Sequence, residues 1–87
     1  MTIQIISQTN SGSRIYFELE TEKKSSLISF NPELEIVYVV CQNAAHNAWG
    51  RMGGRTFSNW TEALSAYKSA DMKAMIEFAK SQCIATV

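Results

Sequence analysis

Apolar and polar residues alternate along the first half of the chain and take helical spacing along the second, the change falling near Gln42-Asn43. Ile3 and Ile5 fall on one side of a short first strand, with Gln4 and Ile6 on the other. Thr9-Asn10-Ser11-Gly12-Ser13 reads as a turn, because asparagine and glycine accept positive φ. The cleanest alternation runs from Arg14 to Glu20, with Ile15, Phe17 and Leu19 inward and Tyr16, Glu18 and Glu20 outward. A polar connection, Thr21-Glu22-Lys23-Lys24-Ser25, leads to a short third strand from Leu27 to Phe30. Asn31-Pro32-Glu33 closes it, the proline presetting a turn angle. The fourth strand, Glu35 to Cys41, is apolar on both faces, the pattern of a central or doubly covered strand. Connections this short favour hairpins, and so an antiparallel sheet.

In the second half, Asn43 to Trp49 reads as a short helix capped by Asn43 and stopped by Gly50, Gly53 and Gly54. Arg55-Thr56-Phe57 reads as extended. Ser58 or Asn59 then caps a better helix, Asn59 and Glu62 having the spacing of a capping box. Trp60, Ala63, Leu64 and Tyr67 form its apolar stripe. That stripe runs into Asp71, a charge at a core position, and a fresh stripe of Met72, Met75, Ile76, Ala79 and Cys83 starts there at another angle. A break at Ser69-Ala70-Asp71 follows, with Ser69 or Asp71 as the next cap; one bent helix over residues 59–82 is the alternative. The expected fold is α+β and a single compact domain over residues 1–87. A four-stranded antiparallel sheet (a β meander in residues 1–42) is covered on one face by two or three helices from residues 43–87. That leaves room for a homodimer sealing an edge strand or the second sheet face.

Composition narrows the function classes. The 87 residues carry 8 Lys+Arg against 8 Asp+Glu, with 46% hydrophobic and 18% charged residues, which suits one folded domain and not a disordered chain. Zero net charge argues against strong non-specific attraction to nucleic acid or anionic lipid. The N-terminal residues lack the basic and apolar regions of a signal peptide, and the longest apolar run, Ile36 to Cys41, is far below the roughly 18 residues of a spanning helix. A soluble, cytoplasmic protein with no membrane partner is expected. Cys41 and Cys83 both sit in apolar patterns and read as core thiols rather than a disulfide framework.

The stretch 46–60 is the most unusual. It holds the single histidine, both tryptophans, three of the four glycines, Phe57, Arg51 and Arg55. Residues 1–43 carry three cationic against five acidic side chains and residues 44–87 five against three, so this stretch lies in the mildly basic half. Two readings of it compete. In one, glycine backbone N–H groups and arginine forks meet phosphate while a tryptophan stacks on a base. In the other, Trp49, Phe57 and Trp60 are core aromatics, the glycines turn the chain, and the arginines are solvated. The candidate binding residues are His46, Trp49, Arg51, Arg55 and Trp60.

Trp49-Gly50-Arg51-Met52-Gly53, followed by Phe57 and by Glu62-Ala63-Leu64 in a helix, resembles the hallmark of WGR domains. These accompany DNA-break-sensing ADP-ribosyltransferases. The resemblance covers Trp49 to Tyr67 and implies a DNA-facing role for Trp49 and Arg51. The sequence departs from the family in three respects: a helical reading before the tripeptide instead of a strand, a shorter arm after it, and no basic glycine-aromatic ending.

Enzyme chemistry has one candidate, a Cys41–His46 nucleophilic pair. Cys41 ends an apolar strand rather than standing in an electropositive, accessible setting, and no third orienting residue can be named. No paired-carboxylate, phosphate-loop or dinucleotide fingerprint occurs, and two cysteines with one histidine at irregular spacing make no zinc site. No catalytic residue, metal or cofactor is therefore assigned. Met72 and Met75 either fill core gaps or, if exposed, offer a partner surface. The expected function is a small non-enzymatic binding or interaction module, of the kind serving as accessory proteins of bacteria, phages or mobile elements. Its partner is an unidentified protein or small ligand, and phosphate or nucleic-acid binding through residues 46–60 is the alternative.

Overall fold

The computed structural model describes residues 2–43 and 53–85. Five strands, β1 (Gln4–Ser11), β2 (Arg14–Glu20), β3 (Lys24–Asn31), β4 (Ile36–Asn43) and β5 (Arg55–Phe57), precede two helices, α1 (Trp60–Ala66) and α2 (Ala70–Ala85). The strands lie in chain order in one sheet, each antiparallel to its neighbour. The α+β architecture is thus as the patterning predicts, with the extended stretch Arg55–Phe57 added to the four expected strands as a short fifth.

Strand lengths depart from the expectation where polar residues carry the backbone pairing. β1 pairs with β2 as far as Ser11↔Arg14, although its residues are exposed throughout. An exposed edge strand needs no apolar alternation, so its length left no periodic signal. A register shift between Ile5 and Ser7 makes Ile6 the extra residue of a β-bulge. β3 starts at Lys24, not Leu27, because Ser25 and Ser26 occupy buried positions. β4 runs on through Asn43. The remainder of the helix predicted from Asn43 to Trp49 lies outside the described residues. At the β1–β2 turn Gly12 takes φ +61°, where glycine avoids the Cβ strain of other residues. Glu35 takes φ +57° before β4, a conformation without that relief.

α1 and α2 are separate, settling the bent-helix alternative. Asn59 Oδ1 accepts from the Glu62 N–H at 2.7 Å and starts α1. Tyr67 turns extended and ends it. Ser69 then caps α2, its carbonyl accepting from the Lys73 N–H at 3.0 Å and its hydroxyl from the Met72 N–H at 3.4 Å.

The core lies between one sheet face and the helices. Phe17, Leu19, Ile28, Val37, Val39 and Phe57 meet Ala63, Met72, Met75, Ile76, Ala79 and Cys83. Register explains this set, since Phe17↔Ile28↔Val39 and Phe30↔Val37↔Phe57 form rungs on one face. Met72 and Met75 are fully buried, so the partner-surface reading of the methionines fails. The sheet covers them, and the Ser26 hydroxyl donates to Met75 Sδ at 3.2 Å. Cys83 is buried, Cys41 is half-buried, and neither is in a disulfide.

One buried polar tie joins the layers. Thr21 follows β2 and its hydroxyl donates to Asp71 Oδ2 in the first turn of α2 at 2.5 Å. The same oxygen accepts from the Lys24 N–H at 3.1 Å, shaping the β2–β3 turn. Asp71 stands in a core position because this hydroxyl meets it there.

Candidate functional site

Of the five candidate residues, His46, Trp49 and Arg51 lie outside the described residues. Arg55 and Trp60 are placed, and each has its own partners. The Arg55 guanidinium lies 5.2 Å from the Phe57 ring centroid and 5.7 Å from that of Tyr67, a cation–π arrangement at the β5 edge. The Trp60 ring stands 5.1 Å from Phe30 and packs against the core. Its outer side borders a surface depression shared with Glu35, Thr61 and Lys80. Arg55 makes these ring contacts while exposed, and Trp60 is part-buried.

Burial holds the Tyr67 phenol above its usual range; nearby Cys41 pushes the same way and Arg55 partly offsets it. Burial also raises the Cys41 thiol, with Lys24 opposing. A raised thiol pKa is the reverse of what a cysteine nucleophile needs at neutral pH. Among the described residues no three of His, Cys, Asp and Glu are grouped closely enough to hold a metal ion.

A concavity lies elsewhere, on the sheet face away from the helices. Alternation along β2 sends Arg14, Tyr16 and Glu18 outward, opposite to Ile15, Phe17 and Leu19. Register then lines up a row across the sheet, Thr9↔Tyr16↔Ser29↔Tyr38↔Thr56, in which every side chain carries a hydroxyl. Tyr16 and Tyr38 are 40% and 39% exposed, while Ser29 between them is only 7% exposed. Two tyrosines therefore wall a slot with serine at its floor.

Leu27, Glu18 and Ser7 extend this slot one rung along, enclosing an open hollow of about 190 Å³. On the other side of the row, Arg14, Asn31 and Ile36 line a second hollow that shares Ser29 and Tyr38. Ser25 and Gln42 are buried at the far end of β3 and β4, and Val40 is buried in the Glu18–Leu27 rung, so the open area comprises the rungs of Arg14 and Tyr16 and, on β1 to β3, that of Glu18. Glycine fixes one wall: a Cβ on Gly54 would overlap the Tyr38 ring, so Tyr38 lies directly against the backbone there.

The open area is dipolar. Arg14 and Glu18 stand at opposite ends, four residues apart on one strand, or about 13 Å. The outward direction of Tyr16 and Glu18 was legible from alternation. Their meeting with Ser29 and Tyr38 depends on the register of three strands, which leaves no local pattern.

Compared with known proteins, the chain matches no family model, no curated protein and no solved structure. No family model supports the resemblance of Trp49–Tyr67 to WGR domains. No described helix is long and apolar enough to cross a membrane.

Proposed function

We propose that this chain is a small non-enzymatic binding module whose working surface is the open face of the sheet, and that it engages a protein partner there. The observation that carries this reading is the pair of half-exposed tyrosines, Tyr16 and Tyr38, flanking Ser29. On a water-facing antiparallel sheet, polar residues satisfy solubility by themselves. Tyrosine adds a large apolar ring with a hydrogen-bonding tip and few rotatable bonds, which is why it is enriched at interfaces. Arg14 at one end and Glu18 at the other supply orientation.

Amide chemical shifts followed during titration test this reading, with acidic, basic and apolar octapeptides in one series and short oligonucleotides in another. The expected result is that at least one peptide class shifts Tyr16, Leu27, Ser29 and Tyr38, and that Tyr16→Ala with Tyr38→Ala abolishes the response. Silence of this face towards every peptide, with salt-sensitive shifts at Arg55 on adding oligonucleotide, would overturn it in favour of phosphate binding.

A further inference from the structure

We propose that the occupant of the open sheet face is a second copy of this chain, stacked face to face about a two-fold axis that crosses the strands along the Tyr16–Ser29–Tyr38 row. The proposal rests on reading that face as the binding surface and adds the identity of the partner.

The argument is one of self-complementarity. A two-fold contact brings one surface patch against itself, so each feature must meet its own rotated image. Rotation about an axis across the strands keeps β2 over β2 and reverses its direction. Position 16 then lies near its own image, and position 14 lies over position 18. Arg14 of each copy is thereby brought to Glu18 of the other, giving two equivalent ion pairs from a chain of zero net charge. A two-fold axis along the strands would leave Arg14 and Glu18 at their own levels and form neither pair. Packed sheets stand about 10 Å apart and cross at about 30°. The gap is within reach of an arginine and a glutamate extended towards each other. The crossing angle offsets each tyrosine from its mate, so the rings lie side by side over the serine floor.

Size sets the strength. Three outward positions on each of β1, β2 and β3, two on β4 and one on β5, at about 4.8 Å between strands and about 6.8 Å along them, make a patch of about 400 Å² per copy in plan, the size of a weak, transient interface. A reversible, salt-sensitive dimer is expected rather than a permanent one.

Sedimentation velocity over a concentration series reads the association of the wild-type chain, R14E, E18R and the swapped double variant R14E/E18R. Arg14 is exposed and Glu18 part-exposed, and circular dichroism verifies that each variant keeps the fold. The wild type is expected to dimerise reversibly. Each single reversal is expected to weaken the dimer at least about tenfold, and the double swap to restore it to within about threefold. A wild type that stays monomeric at the highest concentrations overturns the proposal. So does a dimer indifferent to the reversals, or one that the double swap fails to rescue. A monomer that still binds peptide at Tyr16 and Tyr38 defeats the self-pairing and leaves the binding face standing; silence in both experiments defeats both.

Discussion

Replacing Thr21 by valine removes one hydroxyl and almost no volume, and so isolates the polar tie between sheet and helix. The hydroxyl has a single hydrogen, and the 2.5 Å contact to Asp71 claims it in preference to the 3.4 Å contact to the Lys24 carbonyl. With Thr21 4% and Asp71 9% exposed, solvent has little room to replace the lost donor. A hydrogen bond to a charged acceptor contributes about 1.5–3 kcal/mol, and an acceptor left buried without it keeps its desolvation cost. Losing the oxygen that receives the part-buried Lys24 N–H adds about 0.5 kcal/mol.

Thr21→Val should therefore cost about 2–3 kcal/mol, a large share of the stability of a domain this size. In urea, with a slope of about 1 kcal/mol/M, the unfolding midpoint should fall by about 2–3 M. Thr21→Ser keeps the hydroxyl and should cost under about 1 kcal/mol. Asp71→Asn keeps the shape and an acceptor oxygen, and should cost about 1 kcal/mol. In the Thr21→Val/Asp71→Asn pair the losses should fall short of additive by at least about 1 kcal/mol. Equilibrium unfolding followed by circular dichroism measures all four. A Thr21→Val loss under about 0.5 kcal/mol, or strict additivity, would refute the view that this bond joins the layers.

Gly54→Ala should push the Tyr38 ring off its seat and shift the resonances of Tyr38 and Ser29, while stability drops by under about 1.5 kcal/mol, because the tip of an exposed ring can swing aside. Glu35→Asn should stabilise by about 0.5–1 kcal/mol in the same urea assay, since asparagine tolerates the φ of +57° that glutamate occupies at a cost. Burial pushes the Cys83 thiol up to about 11, so a thiol reagent at pH 8 should label it in the folded chain far more slowly than in urea. The same shift favours the protonated thiol in the folded state. Its contribution to stability is therefore complete below the ordinary thiol range and disappears as pH rises towards about 11; Cys83→Ala should flatten that alkaline loss.

Legibility followed the type of force at work. β2 and the α2 stripe were readable because burial on one face imposes a period, as Ile15–Leu19 and Met72–Cys83 display. The helix break was readable because Asp71 interrupted that period. Its partner Thr21 was not, since a hydrogen bond spanning 50 residues leaves no local trace. β1 beyond Ile6 leaves no period because backbone pairing, not side-chain burial, holds it, and the start of β3 leaves none because its buried residues, Ser25 and Ser26, are polar. In the candidate site, alternation indicated the direction of Tyr16 and Glu18. The neighbours that turn direction into a slot, Ser29 and Tyr38, follow only from the register of three strands. His46, Trp49 and Arg51 lie outside the described residues, and Arg55 and Trp60 settle against rings of the core.

β1 is the outer border of the sheet, and its sequence from Gln4 to Ser11 contains no charge and no proline. Proteins commonly guard such borders with lysine, proline or distortion, because a free row of amides and carbonyls templates the next strand to arrive. Here the kink at Ile6 is the guard the strand itself carries. It divides an eight-residue ribbon into a pair and a run of five, Ser7 to Ser11, so that an incoming strand meets no single register along the whole border.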